Sequence, residues 1–458
     1  MLTSLHIENF KAWKDTGKIR LAPLTVIFGA NSTGKSSIGH LLLALKQTVL
    51  SADRKQVLHL GDANSPIELG TYKDCIYNHD LSNNLHFQLS WNLPDNLDIL
   101  DPITNLKFSG SELALDVLLG ADKNSQPKIR QLNYVLSNVK SEVLSVNLSE
   151  KHDSLYELSS EEYHFKKKTG KDWAVDKPDK FYRISNHSRA LYQNADFLDD
   201  FALQTEAVFN GLYFLGPIRE YPKHIYSWSG EKPESVGSKG ENTIAAILSA
   251  IREGWEYRLW NEAQAAHFGS LIQYWLERIG LTNGLAVHSI AKDRNEYEVL
   301  VRTHENGPPV KITDVGFGVS QVLPVIVQAF YAPPNSTVWI EQPELHLHPQ
   351  VQAELADLFI SAIKTDQNNK PLNAQLIVES HSEHFLYRLQ RRIAEGEVKP
   401  DDVAIYFCKR VGTETELEAL RVNDFGEIEN WPENFFGDEM ADIAARTTAA
   451  MKRKMAGA

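Results

Sequence analysis

Three short apolar segments of the chain have the pattern of strands that are buried on both faces. They cover residues 24–28, 337–340 and 375–378; a glycine-rich loop follows the first, and polar residues directly follow the other two. The first two are followed by segments in which apolar residues recur every three or four positions, which predicts helices. These positions are Ile38, Leu41, Leu42, Leu45 and Val49, and then Val351, Leu355, Leu358 and Phe359. Buried strands that alternate with helices predict a parallel sheet with its functional site at the carboxyl edge.

The remaining segments have other patterns. Between residues 51 and 210, short apolar stretches alternate with polar turns, which predicts strands. Residues 241–280 have helical spacing, and residues 403–407 predict a further strand. We therefore expect an α/β fold with a mixed β-rich and helical insertion and a small C-terminal α/β extension. The expected parts are 1–80 (N-terminal part of the core), 81–210 (β-rich insertion), 211–311 (helical arm region), 312–399 (C-terminal part of the core) and 400–458 (small C-terminal domain).

Residues 29–36 directly follow the first predicted strand and match the phosphate-loop pattern G-x-x-x-x-G-K-[ST], with a predicted helix after them. In such a loop, backbone N–H groups and the positive end of the helix bind phosphate. We predict that Lys35 contacts the β- and γ-phosphates and that the Ser36 hydroxyl binds Mg²⁺. The predicted nucleotide-contacting residues are Asn31, Ser32, Thr33, Gly34, Lys35, Ser36 and Ser37.

A site that hydrolyses a nucleotide also needs a carboxylate near Mg²⁺, at the end of a neighbouring strand. Glu341 follows the second predicted strand and is the candidate. The phosphate loop, the Asn-Phe-Lys segment at 9–11, the string at 341–349 and His381 together resemble the ABC-type ATPases of the SMC, RecF and OLD group.

The resemblance implies a phosphate-loop, ABC-type ATPase core that binds ATP and Mg²⁺ and acts as a homodimer or higher homo-oligomer with ATP at the interface. Glu341 would take the Walker B position and bind Mg²⁺, residues 347–349 would form the D-loop, and His381 would sense the γ-phosphate. Residues 314–321 would be the signature segment. Its Gly316 and Gly318 would cap the γ-phosphate bound to the other subunit.

Two positions depart from the pattern of this group. Glu341-Gln342 stands where Asp-Glu is usual, and a glutamine can orient the attacking water but cannot accept its proton. Glu344 is the nearest replacement carboxylate, so Gln342, Glu344 and His381 are the candidate catalytic residues. We expect slow turnover and a long-lived ATP-bound state. Gly316 replaces a usual serine, which removes one contact to the γ-phosphate on the other subunit.

Two further segments, 213–222 and 430–436, resemble a subfamily of predicted ATPases with a short uncharacterised C-terminal domain. Relatives of this kind occur in bacterial antiphage systems, including the ATPase subunit of Septu-type systems, whose partner is an HNH endonuclease. The resemblance implies a regulatory ATPase subunit that controls a partner nuclease, with an HNH-type nuclease as the expected partner.

Charge and composition bear on the partners. A net charge of −13 argues against a surface that binds nucleic acid throughout. One segment, 164–183, mixes basic and aromatic residues, which is typical either of nucleic-acid binding or of a solvated loop with core aromatics. Its basic residues are Lys166, Lys167, Lys168, Lys171, Lys177, Lys180 and Arg183, and its aromatic residues are Phe165, Trp173, Phe181 and Tyr182. The absence of a long apolar run or secretory signal, together with only two cysteines, predicts a cytoplasmic protein with no membrane partner.

Three other functions compete with this interpretation. A RecF-like DNA-repair ATPase would bind DNA directly through the basic segment, with a salt-dependent affinity. A metal-dependent hydrolase would use histidines and glutamates of the two polar strings, although H-x-H without a fixed third ligand is a weak zinc pattern. These residues are His346, His348, His381, His384, Glu341, Glu344 and Glu379. A transporter motor is disfavoured because the sequence has neither a membrane segment nor a clear Gln-loop.

Overall fold

The structure is a computed structural model of the 458-residue chain, and it describes residues 1–151, 155–168, 175–259, 265–432, 445–451 and 453. The helices are α1 (Lys35–Leu50), α2 (Tyr72–Cys75), α3 (Asn186–Ala190), α4 (Phe197–Asn210), α5 (Thr243–Arg252), α6 (Phe268–Arg278), α7 (Phe317–Tyr331), α8 (Pro349–Lys364) and α9 (Glu383–Ala394). The strands are β1 (Leu2–Phe10), β2 (Trp13–Asp15), β3 (Ile19–Arg20), β4 (Leu24–Gly29), β5 (Leu85–Leu100), β6 (Lys107–Ala121), β7 (Pro127–Ser137), β8 (Glu142–Glu150), β9 (Tyr156–Ser159), β10 (Leu212–Leu215), β11 (Tyr226–Ser227), β12 (Glu256–Arg258), β13 (Ala266–His267), β14 (Gly284–Ser289), β15 (Glu296–Arg302), β16 (Val310–Lys311), β17 (Thr337–Glu341), β18 (Asp366–Gln367), β19 (Lys370–Pro371), β20 (Gln375–Ser380), β21 (Val403–Val411) and β22 (Glu414–Leu420).

A six-stranded sheet forms the centre of the molecule, in the order β10-β17-β20-β4-β21-β22. The first five strands are parallel, and β22 is antiparallel to β21. Strands β4, β17 and β20 are the three predicted apolar segments, and the prediction that they form a parallel sheet is confirmed. Because parallel strands end at the same edge, the polar residues that follow β4, β17 and β20 meet there.

The two faces of the central sheet are buried in two separate cores, because successive residues of a strand point to opposite faces. On β4, Ile27 belongs to one core, while Val26 and Phe28 belong to the other. The first core also contains residues of α1 and α4, and the second contains residues of α5 to α9. A strand that is covered on both faces has a continuous apolar sequence. The predicted α/β fold is confirmed, and the structure shows helices on both sides of its mostly parallel sheet.

An eight-stranded antiparallel sheet also packs into the first core, with the order β2-β1-β5-β6-β7-β8-β9 and with β3 paired to β1. Strands β5 to β9 confirm the strands predicted from the alternating pattern between residues 51 and 210. On β5, Phe87 and Leu89 point into the core, while His86 and Gln88 point to the opposite face. The N-terminal strand β1 pairs with β5, so the β-rich region shares a sheet with the first residues of the chain.

Two regions outside the predicted core contribute strands to the central sheet. β10 extends it beyond β17, and β21 pairs in parallel with β4. A strand at 403–407 was predicted, but as part of a separate extension, and its position beside β4 is a tertiary finding. The helices predicted within 241–280 are confirmed as α5 and α6, with β12 and β13 between them. Among the described helices, none is long and apolar enough to cross a membrane.

Candidate functional site

The phosphate loop lies between β4 and α1, at the carboxyl edge of the central sheet. Gly29 has a φ of 148°, and a Cβ at this position would lie 2.4 Å from the Cys408 carbonyl oxygen on β21. Gly34 has a φ of 87°, and the indole Nε1 of Trp13 donates a hydrogen bond of 2.9 Å to its carbonyl oxygen. Glycine is required at both positions, since a side chain would be strained by the left-handed backbone and would collide with a neighbouring strand or hairpin.

The structure places the seven predicted nucleotide-contacting residues in this loop and in the first turn of α1. Asn31 and Ser32 are exposed, while Thr33 is buried and its hydroxyl donates a hydrogen bond to the Ala30 carbonyl oxygen. The N-cap of α1 is Gly34, which has no side chain to accept hydrogen bonds from the first backbone N–H groups. A helix start of this kind presents its N–H groups and the positive end of its dipole to an anion.

Lys35 is buried at the start of α1. Its Nζ donates hydrogen bonds to the carbonyl oxygens of Gly29 and Ala30, at 3.0 and 2.7 Å, and lies 4.0 Å from Glu379 Oε1. Burial lowers the pKa of Lys35, and the nearby Glu379 opposes that effect. The ammonium group is thus held inside the loop that would surround a phosphate.

Glu341 and Glu379 occupy paired positions at the ends of β17 and β20, so their side chains leave the sheet on the same face. The Ser36 hydroxyl donates a hydrogen bond of 3.0 Å to Glu379 Oε1. Burial raises the pKa of both carboxyl groups, that of Glu341 to about 8, with the neighbouring Glu379 as the second cause there. Glu341 Oε1 and Glu379 Oε2 have no hydrogen-bond partner among the described residues.

This donor set fits a magnesium ion. Mg²⁺ prefers carboxylate and hydroxyl oxygens, and each of these two buried carboxylates has one oxygen without a hydrogen-bond partner among the described residues. Lys35 opposes the effect of burial on both pKa values but does not outweigh it, so a divalent cation would stabilise the ionised forms further. Ser36 and Glu341 were predicted as metal ligands from the sequence, whereas Glu379 was not. Its position at the end of the third predicted strand, which matches that of Glu341 on the second, was the signal that could have identified it.

Gln342 follows Glu341 in a left-handed backbone conformation, with a φ of 44°. Its backbone N–H donates a hydrogen bond to the Glu379 carbonyl oxygen, and its side-chain Nε2 lies 3.5 Å from His381 Nε2. Burial and the nearby Lys35 lower the pKa of His381 to about 4, so its imidazole is neutral at pH 7. The structure therefore brings together two of the three predicted catalytic residues, Gln342 and His381, at the sheet edge.

Glu344, the third predicted catalytic residue, lies buried beneath the same loop. Its Oε1 accepts a hydrogen bond of 2.6 Å from the His381 backbone N–H, which ties the turn after β17 to the turn after β20. Burial raises the pKa of Glu344. In this arrangement one carboxylate oxygen positions the histidine, while Oε2 has no hydrogen-bond partner in the described part of the chain.

Arg219 was not predicted as a site residue, although it lies in the 213–222 segment that carries the subfamily resemblance. Its guanidinium is buried and donates hydrogen bonds to the carbonyl oxygens of Glu341 and Gln342, at 2.8 and 3.0 Å. Burial lowers its pKa to about 10, and the carboxylates of Glu344 and Glu341 oppose that effect. Arg219 thus holds the strained turn at Gln342 and supplies positive charge beneath two buried carboxylates. Only the fold reveals it, because more than 100 residues separate it from them.

The predicted signature segment leads into α7. Gly316 is the N-cap of this helix and is exposed, while Gly318 lies in its first turn, beside Leu347. Gly316 has an ordinary φ of −59°, and a Cβ built there would meet no described atom within 4 Å. The first turn of α7 is therefore available to a second molecule, and the backbone does not require glycine at 316.

The structure does not assemble the alternative hydrolase site. His346 and His348 are exposed, and His348 caps α8 by accepting a hydrogen bond from the Gln350 backbone N–H. Among the described residues, the ligand atoms of His346, His348, His381 and His384 are not grouped closely enough to hold one metal ion. The H-x-H pattern is instead part of the turn that starts α8.

The fold buries some residues of the basic segment at 164–183 and exposes others. Lys180 and the rings of Phe181 and Tyr182 are buried, and the Lys180 ammonium bonds to backbone carbonyls, so these residues cannot contact nucleic acid. Arg183 pairs with Glu206. Lys171 and Trp173 lie outside the described residues. Lys166, Lys167, Lys168 and Lys177 are exposed. At the C-terminal end of the segment the aromatic side chains are core residues, which agrees with the alternative of a loop with core aromatics, and nucleic-acid binding through the exposed lysines stays a prediction.

Two protein-family profiles match the chain. The profile described as AAA ATPase domain matches residues 1–386, and a profile for a protein of unknown function, DUF3696, matches residues 398–445. No curated protein matches the sequence significantly.

Solved structures of SMC head domains are similar to this chain at low sequence identity. An SMC head bound to the C-terminal winged-helix domain of ScpA is 12% identical, with 92% of this chain and 98% of that chain covered and a TM-score of 0.43. The SMC head domain from Thermotoga maritima is 9% identical, with 92% and 99% covered and a TM-score of 0.38. An SMC head with an extended coiled coil, bound to the C-terminal domain of ScpA from Pyrococcus furiosus, is 10% identical, with 92% and 96% covered and a TM-score of 0.37.

Proposed function

Because this chain belongs to the AAA ATPase domain family, we propose that it binds ATP with Mg²⁺ and hydrolyses it slowly. The observation that carries this proposal is the meeting of a phosphate loop with two buried carboxylates at one sheet edge. Lys35 and Ser36 come from the start of α1, and Glu341 and Glu379 from the ends of β17 and β20.

Ser36, Glu341 and Glu379 are the residues that would hold Mg²⁺, directly or through water. The bound ion supplies positive charge to the phosphates and to the two carboxylates. The backbone N–H groups at the start of α1 bind the phosphate oxygens, and Lys35 exchanges its loop carbonyl partners for the β- and γ-phosphates. The other expected contacts come from Asn31, Ser32, Thr33, Gly34 and Ser37.

Slow turnover follows from the groups around the attacking water. Gln342 can orient a water but cannot take its proton, and His381 is neutral, so it can accept or donate a hydrogen bond without adding charge. Glu344 has one oxygen engaged by the His381 backbone N–H. Arg219 keeps the Gln342 turn in position. These residues can bind and orient the reactants, but the proton acceptor is weak.

We further propose that the active form is a homodimer or higher homo-oligomer, in which Gly316 and Gly318 of one subunit cap the γ-phosphate bound to another. The exposed start of α7 supports this, because a helix N-terminus attracts an anion. Such an ATP-held assembly would act in the cytoplasm as the regulatory subunit of an antiphage complex and would control a partner nuclease of the HNH type. The resemblance of segments 213–222 and 430–436 supports that role.

ATP turnover and solution mass, measured together on wild type, Lys35→Ala and Gly316→Trp, test this function. We expect slow wild-type turnover, below about one per second, and an ATP-stabilised dimer. Lys35→Ala should lose both properties. Gly316→Trp, which places a bulky side chain at the exposed helix start, should bind ATP as a monomer. Absence of ATP binding by the wild type would refute the proposed activity, and a Gly316→Trp variant that still dimerises would refute the proposed interface.

The second candidate function is direct action on DNA, which the exposed Lys166, Lys167 and Lys168 favour. DNA affinity that falls steeply with salt, and that is lost when these three lysines are replaced by glutamine, would support it. DNA binding by the nuclease partner alone, with control of cleavage by the ATPase, would support the regulatory function instead.

A further inference from the structure

Two histidines and three carboxylates gather on the face of the antiparallel sheet opposite its core, and none of them belongs to the nucleotide site described above. His6 and Glu8 alternate with the buried Leu5 and Ile7 on β1, so both point to the side opposite the core. On the neighbouring strand β5, His86 stands directly opposite Glu8. Four strands therefore contribute to one group: His6 and Glu8 from β1, Asp15 from β2, His86 from β5 and Asp116 from β6.

The ligand atoms of this group point at one another. His86 Nδ1 lies 3.0 Å from Glu8 Oε1, and His6 Nε2 lies 3.5 Å from the same oxygen. Asp15 Oδ1 lies 2.7 Å from His6 Nε2. In a tetrahedral zinc site with bonds of about 2.0–2.1 Å, neighbouring ligand atoms are roughly 3.3 Å apart. Small side-chain movements would therefore bring the His6, Glu8 and His86 atoms to that separation, and Asp15 lies beside His6.

The second ring nitrogen of His86 is also engaged. Asp116 Oδ1 lies 3.1 Å from His86 Nε2, on the opposite side of the ring from Glu8. A carboxylate that holds the far nitrogen of a metal-binding histidine fixes the tautomer and the orientation of the ring. Asp116 is therefore placed to orient His86 as a ligand.

We propose that this group is a binding site for a divalent transition-metal ion, with Zn²⁺ as the probe. The ligand atoms are His6 Nε2, His86 Nδ1 and Glu8 Oε1, with Asp15 as a fourth ligand after its side chain moves, and Asp116 positions His86. Two imidazoles and two carboxylates suit zinc better than magnesium or calcium, which prefer sites made of oxygen alone. Among the described residues, His6, Glu8 and His86 form the one group of three or more potential ligands within 4.8 Å of one another.

The position of the site predicts its effect on the fold. Asp15 lies at the end of β2, which begins with Trp13, the residue that donates to the Gly34 carbonyl oxygen. A metal ion bound to Asp15 and to β1 and β5 would fasten this hairpin to the sheet. We therefore expect Zn²⁺ to stabilise the folded chain, with the nucleotide site left chemically unchanged.

A Zn²⁺ titration against a chromophoric chelator, on the 458-residue chain without nucleotide or Mg²⁺, tests the proposal. We expect one ion per chain for the wild type and for His288→Gln, which removes an exposed histidine on β14. His6→Gln and His86→Gln should lose this binding. Asp116→Asn should bind roughly 10- to 100-fold more weakly, since it changes only the orienting partner. The absorption spectrum of bound Co²⁺ should report nitrogen and oxygen ligands and should change in Asp15→Asn.

Circular dichroism and urea unfolding establish that each variant is folded, and Asp15→Asn, on an exposed hairpin end, tests the site with the least risk to the fold. A folded wild type that takes up no Zn²⁺ would overturn the proposal. Binding that survives His6→Gln and His86→Gln, or that is lost in His346→Gln instead, would place the ion elsewhere and would also overturn it. These outcomes do not depend on whether the chain hydrolyses ATP.

Discussion

The two ends of helix α1 contrast sharply in how their backbone groups are satisfied. At the C-terminal end, the Lys180 ammonium donates hydrogen bonds to the carbonyl oxygens of Thr48, Val49 and Ser51, at 2.7, 3.0 and 2.8 Å. At the N-terminal end, the cap is Gly34, which has no side chain, and the loop before it is exposed at Asn31 and Ser32.

Both ends begin with the same physical problem, because a helix leaves its first N–H groups and its last C=O groups without partners inside the helix. At the C-terminal end, the buried Lys180 supplies the missing hydrogen-bond donors, although it lies 129 residues after Ser51 in the sequence. At the other end, Lys35 points into the loop and faces Glu379, Glu344 and Glu341. Burial lowers the pKa of both lysines. One buried lysine thus completes the fold, while the other lies among three carboxyl groups at the candidate nucleotide site.

The largest effect should separate the two lysines by function. We expect Lys35→Ala to reduce ATP turnover by about 100- to 1,000-fold, the range seen when one electrostatic contact to a reacting group is removed. Lys180→Met should leave turnover within about twofold of the wild type. Steady-state phosphate release measures both. Equal losses of ATP turnover in the two variants would contradict this separation of roles. They would indicate that both lysines affect turnover only through the structure of α1.

The second effect should separate them by stability. Lys180→Met removes three hydrogen bonds to the last turn of α1 and a positive charge at the negative end of the helix dipole. We expect the free energy of unfolding in urea to fall by about 2 kcal/mol. The control, Lys166→Met, replaces an exposed lysine and should change the stability by less than about 0.5 kcal/mol. If Lys180→Met left the free energy of unfolding unchanged, water would be able to replace Lys180 as the hydrogen-bond donor to these carbonyl groups.

The third effect concerns pH and the unbalanced charge at the N-terminal end. The pKa of Glu341 is about 8 in the folded chain, above its ordinary value of 4.5, so the folded state binds the extra proton between these values. The contribution of Glu341 to stability therefore falls as pH rises from about 4.5 to 8. In nucleotide-free protein, Glu341→Gln should make this decline shallower, with a relative gain on the order of 1–2 kcal/mol at pH 8 and none at pH 4.

Urea unfolding of both proteins from pH 4 to pH 8.5 measures this difference. Glu354→Gln, which alters a carboxylate of the Arg278 and Arg388 ion pairs, is a suitable control for the loss of one charge elsewhere. Parallel pH profiles for wild type and Glu341→Gln would show that Glu341 is already ionised and balanced in the folded chain.

The smallest effect concerns the proton acceptor. Gln342→Glu introduces a carboxylate where Gln342 now lies near His381, and we expect turnover to rise about tenfold. Glu344→Gln should be measured beside Gln342→Glu, because the described contacts make Glu344 a positioning residue for His381. If Glu344→Gln abolishes wild-type turnover while Gln342→Glu has no effect, Glu344 is the base and slow turnover has another cause.

Much of the nucleotide site could be predicted from the sequence, because its determinants are local. The phosphate loop needs glycines, a lysine and a hydroxyl at fixed spacing between a strand and a helix, and all of these are adjacent in the chain. Strands β4, β17 and β20 are buried on both faces, so each contains an apolar run that can be recognised as a buried strand from the sequence. Glu341, Gln342 and His381 follow such runs directly, which is why their meeting at one edge was predictable.

The tertiary structure alone decided which distant residues complete and balance these elements. Arg219, Lys180 and strand β21 have no local pattern that states their partners, because a buried hydrogen bond or a strand pairing depends on which surfaces meet in space. The same reason explains Phe181 and Tyr182, whose aromatic character suits a nucleic-acid surface and a core equally well, and only packing placed them inside. The phosphate loop and the residues at the strand ends can be predicted from the spacing of neighbouring residues, whereas charge balance and burial are properties of the folded chain.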